Sequence, residues 1–181
     1  TDDVAGWRFI SLPWSAFHKG AGYNPGPNPD APINPARMWG YAFILPAGTT
    51  IFSADELRLV GDAPVEDFNG GLPGDGVFVY GRDESDASGH ITVTAESADL
   101  PVVPTIAGNQ ALSVDFANGG WGGFVERGYL PDGSGFKDWS AYEGMSLWFR
   151  GTGSGGTVIF QLKSDGSSQQ LSNRYEYNLT D

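Results

Sequence analysis

The sequence predicts an all-β protein, a sandwich or a barrel, and three observations carry that expectation. Short segments rich in aromatic and β-branched residues recur along the chain. Clusters of Gly, Pro, Asn, Asp and Ser separate them at roughly the 8–12-residue spacing of sandwich strands. No segment holds a 3.6-residue apolar period over several turns.

The first strand is read at Trp7-Arg8-Phe9-Ile10-Ser11-Leu12, stopped by Pro13. Trp39 to Leu45 alternates large and small side chains and ends at Pro46-Ala47-Gly48. Thr50-Ile51-Phe52 and Glu56-Leu57-Arg58-Leu59-Val60 follow, then 77–80, 90–94, 111–116 and 123–126. The last group is 145–150, 157–163 and 175–179. Residues 55–60 and 140–143 are the only candidates for helical turns. Residues 19–35, with five Pro and three Gly, form a loop, because Pro brings no N–H to a ladder. The Asp- and Ser-rich stretch 81–89 reads as a mobile, solvated tip, and 151–156 as a flexible hairpin loop.

With 181 residues the chain is expected to form one domain, large enough to bury about two-thirds of its unfolded surface. A hydrophobic fraction of 40% opposes disorder despite 27 Gly and 12 Pro. The net charge of −12 argues against nucleic acid, which needs a basic face. No apolar run of 18 residues suggests a membrane helix, so a soluble domain without a membrane partner is expected. Thr1 is followed by no leader-like pattern, so any signal peptide is expected to have been removed or to lie outside this sequence. Zero cysteines exclude a disulfide framework, thiol catalysis and thiolate zinc, while leaving secretion open.

The groups that catalysis needs are sparse. His18 and His90 lie far apart and lack metal-ligand or triad spacing. Residues 151–155 read Gly-Thr-Gly-Ser-Gly, which fails the Gly-x-Ser-x-Gly nucleophile pattern, and no phosphate-cradling loop is present. A glycosidase needs two carboxylates facing across a cleft, and a linear sequence does not reveal facing. Aromatics are abundant instead: six Trp, seven Tyr and eleven Phe. Aromatic faces suit the C–H faces of pyranose rings, with Arg, Gln and Glu to bind hydroxyls.

Six stretches, 138–151, 157–162, 174–177, 6–17, 54–59 and 65–68, together resemble the family 11 and related carbohydrate-binding modules. Asp138-Trp139-Ser140-Ala141-Tyr142-Glu143-Gly144-Met145-Ser146-Leu147-Trp148-Phe149-Arg150-Gly151 is similar to one family strand, Thr157 to Leu162 to the next, and Arg174-Tyr175-Glu176-Tyr177 to another. Gly6 to Phe17 resembles the Trp-Arg motif, Ala54-Asp55-Glu56-Leu57-Arg58-Leu59 the closing strand, and Val65-Glu66-Asp67-Phe68 the opening one. The order departs from the family: 1–62 resembles the second half of its pattern and 65–181 the first. The resemblance therefore implies one jelly-roll β-sandwich of two antiparallel sheets over 1–181, in circularly permuted order or cut across tandem modules. Its termini are then expected to lie in an exposed loop.

That resemblance implies a non-catalytic module gripping a polysaccharide or oligosaccharide on a concave face, with β-glucan favoured by analogy. Strand alternation turns Met145, Leu147 and Phe149, then Val158, Phe160 and Leu162, then Tyr175, Tyr177 and Leu179 inward. Trp148, Arg150, Gln161, Arg174 and Glu176 are left outward as the candidate sugar-binding set on one shared face, with Trp121 and Tyr23 at its rim. The family also implies a structural calcium, for which Glu66, Asp67 and Asp55 occupy the matching positions. A secreted, extracellular setting is implied, beside catalytic or tandem modules of a larger glycan-degrading enzyme. Two other readings compete: a β-sandwich lyase or glycoside hydrolase, and a structural spacer that binds nothing.

Overall fold

The computed structural model describes residues 6–20, 31–61, 63–74, 78–82, 86–101, 107–119, 122–129, 135–166 and 172–180. Its strands are β1 (Arg8–Pro13), β2 (His18–Lys19), β3 (Met38–Leu45), β4 (Gly48–Leu59), β5 (Ala63–Glu66) and β6 (Phe78–Arg82). The remainder are β7 (His90–Ser97), β8 (Gln110–Asn118), β9 (Gly123–Gly128), β10 (Gly144–Arg150), β11 (Thr157–Ser164) and β12 (Asn173–Thr180). Two 3-10 turns, Trp14–Ala16 and Pro35–Arg37, are the only helical pieces among the described residues.

The strands form two antiparallel sheets, as a jelly-roll sandwich requires. The first runs β1-β10-β4-β8-β7, with β5 also paired to β4, and the second runs β2-β12-β11-β3-β9-β6. Alternation explains the layers. The inner faces contribute Met145, Leu147 and Phe149 from β10, Val158, Phe160 and Leu162 from β11, and Tyr175 and Leu179 from β12, all buried. Tyr177, expected inward, is half-buried at the margin and packs against the core beside Phe17. Phe43 and Phe160 of the second sheet meet at 5.2 Å, and Phe43 meets Phe52 of the first at 5.4 Å. Phe52 in turn stacks on Phe149 at 5.7 Å, so one aromatic column ties the layers. Such pairs add about 0.5–1.5 kcal/mol each beyond area burial.

Two local expectations change. Of the stretches 50–52 and 56–60, read as separate strands with a candidate helical turn, 50–52 and 56–59 belong to the single 12-residue β4, and Val60 lies in the turn after it. Its interruption is a bulge: the register with β10 shifts between Ser146 and Trp148, and Glu56 takes a φ of 48°. The 151–156 stretch is not a hairpin. β10 lies in the first sheet and β11 in the second, so the loop crosses the sandwich edge, with Gly153 and Gly155 both at a φ of 76°. In the stretch read as a mobile, solvated tip, residues 83–85 lie outside the described residues, and the Asp86 carboxylate after them accepts from Ser88 N at 3.0 Å, Ser88 Oγ at 2.8 Å and Gly119 N.

Strands from both ends of the sequence interleave. β3 lies between β11 and β9, and β4 between β10 and β8, so 8–59 supplies an interior strand to each sheet. The Arg8 guanidinium donates to the Thr180 carbonyl, joining β1 to the end of β12.

Candidate functional site: two outer faces

On the second sheet, the pairing register sets one row across six strands: His18, Glu176, Gln161, Ala42, Glu126 and Val79. A parallel row holds Arg174, Lys163, Gly40 and Gly128. The floor is buried and small. A Cβ at Gly40 would fall 2.0 Å from the Arg127 carbonyl, so only glycine lets β3 and β9 approach there. Above it stand two polar pairs. Gln161 Nε2 donates to Glu176 Oε1 at 2.9 Å, and the Lys163 ammonium contacts the Glu126 carboxylate.

Gln161 is only 3% exposed and its Oε1 is buried with no hydrogen-bond partner among the described residues. Lys163 is 1% exposed; burial pushes its ammonium below the usual lysine range, and the Glu126 charge opposes that shift. Glu126, Glu176 and Arg174 are half-buried and His18 is exposed, so carboxylates, guanidinium and imidazole stand above this floor. A Cβ at Gly20 would lie 2.2 Å from a Glu176 oxygen, which places the backbone after β2 against that carboxylate.

The outer face of the first sheet differs in kind. Phe9 and Trp148 face each other on β1 and β10, centroids 5.5 Å apart and planes tilted by 57°. Two residues on, the Arg150 guanidinium lies 4.8 Å from the Trp7 ring and donates to Ser53 Oγ at 3.1 Å. Phe9 is 58% exposed. The five-residue set expected on one face is therefore split: Gln161, Arg174 and Glu176 share the second sheet, whereas Trp148 and Arg150 lie on the first. The cause is the 151–156 loop, which carries the chain from one layer to the other. Trp121 and Tyr23 fall outside the described residues.

The three expected calcium ligands do not converge. Glu66 faces Arg127 across the two sheets at 3.8 Å. Asp55 is fully buried and accepts from Asn109 Nδ2 at 2.6 Å and from Glu56 N at 2.7 Å. Burial, opposed by these hydrogen bonds and reinforced by the charges of Glu56 and Asp67, pushes its carboxyl up to about 6. Asn109 Oδ1 is buried without a hydrogen-bond partner among the described residues. Among the described residues no three acidic or histidine side chains gather at metal-binding distance. The Asp55–Asn109 corner fits a hard cation only with the Asn109 amide turned over, because its nitrogen now faces the buried carboxylate and its orphaned oxygen points away; Asp67 adds nearby charge.

Lys163–Glu126 is the pair that sequence reasoning left out of the site. Glu126 was legible only as one acid among 22. Its partner two strands away appears once β9, β3 and β11 are placed in order.

Fold and faces together define a two-layered antiparallel β-sandwich with polar pairs on one outer face and aromatic rings on the other. The family model for carbohydrate binding domains of family 11 matches residues 61–181, about two-thirds of the chain. The chain belongs to that family and is a non-catalytic carbohydrate-binding module. No curated protein and no solved structure matches it significantly.

Proposed function

We propose that the outer face of the second sheet grips a neutral polysaccharide, a β-glucan in the first instance, and holds an attached glycan-active enzyme against it. The observation that carries this reading is the double row of Glu176–Gln161 and Glu126–Lys163 pairs, with the unpartnered Gln161 Oε1 beneath them. Carboxylates and amide oxygens accept hydrogen bonds from sugar hydroxyls, while Arg174 and His18 supply donors. An anionic glycan would meet two carboxylates and a net charge of −12, so uronic-acid polymers are disfavoured. Affinity should lie in the micromolar to sub-millimolar range, since small ligands yield limited energy per atom.

Calorimetric titration with mixed-linkage β-glucan, xyloglucan and polygalacturonate tests this. Saturable heat with a neutral glucan, lost in Glu176→Ala, is expected. Binding of polygalacturonate alone, or of nothing, would overturn the reading, and the latter would leave a structural spacer.

We further propose that a calcium ion sits at Asp55 and the Asn109 side-chain oxygen, with Asp67 contributing charge and the remaining oxygens coming from backbone and water. The ion would stabilise the β4–β5 region by mass action. Glu66 has its own partner in Arg127 and is not part of that set. The rearranged segment order is supported by the family match starting at Gly61, in the turn between β4 and β5, while β3 and β4 outside it occupy interior places in both sheets. Secretion and a neighbouring catalytic module follow from the same reading, since polysaccharide lies outside the cell.

A further inference from the structure

We propose that the aromatic corner on the outer face of the first sheet is a second glycan-contact surface, independent of the face across the sandwich. It rests on the reading that the ligand is a neutral polysaccharide.

Single exposed aromatics need no explanation, but this corner holds a group of them. Phe9, 58% exposed, and the half-buried Trp148 form a tilted ring pair on adjacent strands. Trp7 lies next to them, its ring against Arg150. That guanidinium is fixed from two sides, by the Trp7 ring and by Ser53 Oγ. Holding an arginine in one rotamer costs side-chain entropy, and that cost is already met before any ligand arrives. Arg150 has N–H groups beyond the one given to Ser53, each able to donate to a hydroxyl oxygen. Aromatic faces with a fixed fork of donors beside them match a pyranose, which has an apolar C–H face and an equatorial rim of oxygens.

The size of the corner favours a sugar over a protein. A stable protein interface needs about 800 Å² from each partner. Here the ring cluster gives way within one strand to polar groups: exposed Ser11 on β1, and the Glu56–Arg58 ion pair on β4. Two or three rings suffice for one or two sugar residues. The sandwich would then carry contacts on opposite layers, and one domain could engage two chains, or two stretches of one chain, with a gain from multivalency.

Affinity electrophoresis of the full chain in gels containing hydroxyethylcellulose or mixed-linkage β-glucan tests this, using the parent, Phe9→Ala, Phe9→Tyr, Glu176→Ala and the Phe9→Ala/Glu176→Ala pair. Each single alanine variant is expected to weaken retardation several-fold, the double variant to abolish it, and Phe9→Tyr to match the parent. Titration with a short gluco-oligosaccharide should count two sites in the parent and one in each single alanine variant. Parent-like retardation and stoichiometry in Phe9→Ala would overturn the second surface. A silent Glu176→Ala together with complete loss in Phe9→Ala would instead sink the second-sheet reading and leave this corner as the site. Concentration-dependent dimerisation of the parent that Phe9→Ala abolishes would assign the corner to contact between copies and overturn the glycan reading. Failure of the parent to bind any of these glucans overturns it as well. Unchanged thermal melts separate loss of binding from loss of fold, and Trp148→Phe provides a second variant within the ring pair.

Discussion

The two outer faces of this sandwich are built by the same alternation rule and end up chemically opposite. On the second sheet, glycine and alanine at Gly40, Ala42 and Gly128 make a low floor, and charged pairs stand on it. On the first, rings project from the edge strand β1 and its neighbour β10, and the central strands contribute Ser53, Ser113, buried Asp55 and the exposed Ile51. The inner faces show no such contrast, since both feed one aromatic column. A shared core thus leaves the outer faces free to diverge, because outward residues are held to the register but not to a common packing.

The comparison can be broken most severely from within. Phe160→Ala removes the ring that meets Phe17, Tyr41 and Phe43, and should cost about 3–5 kcal/mol, seen as a lower denaturation midpoint. Both faces should fail together. Gly40→Ala strikes one face only. Its Cβ has no room against the Arg127 carbonyl, so β3 and β9 must separate, at about 1–3 kcal/mol. Second-sheet binding should fall while the Phe9 corner keeps its contribution.

Lys163→Met is subtler. It leaves Glu126 without its buried cation and should weaken glucan binding about tenfold, or 1.4 kcal/mol, with a smaller change in melting temperature. Equal loss at both faces would show that Lys163 acts through the core rather than through its row.

Asp55 sharpens the picture on the other layer. Its raised pKa means that the metal-free fold prefers the protonated acid, so this group's stabilising contribution is lost as pH rises from about 4 through about 6. In EDTA at pH 7.5, Asp55→Asn should therefore melt above the parent. With calcium the order should reverse, and a parent melt indifferent to EDTA would remove the ion. The smallest effect is expected at Asp86, where hydrogen bonds from Ser88 and Gly119 hold the carboxyl below its usual range. A depressed acid stabilises above its unfolded pKa, so the benefit should fade as pH falls below about 4. Asp86→Ala should flatten that acid limb in thermal melts.

Much of the architecture was legible in advance. Ten of the twelve strands coincide with segments read from composition, β4 absorbing two of them. β5 was carried by the family likeness alone, and the two-residue β2 is too short to leave a pattern. The inward and outward sets of β10 and β11 stand as read, because alternation is local and each strand carries its own record of it. What failed were statements about neighbours. The 151–156 stretch has hairpin composition, yet glycines that permit a tight turn also permit a crossing between layers. The likeness places Glu66 among the calcium ligands without sight of Arg127, its partner, which is 61 positions away and in the other sheet.

The sequence alone determined an acidic, cysteine-free, all-β chain, the face that most strand residues show, and the likeness to carbohydrate-binding modules. Only the tertiary structure decided which outward residues stand together, separating Trp148 and Arg150 from Gln161, Arg174 and Glu176 and bringing Lys163 to Glu126. The division has a physical origin. Whether a side chain points in or out follows from a two-residue period along its own strand. Strand order follows from hydrogen bonds between distant segments, whose pairing depends on how the whole core closes.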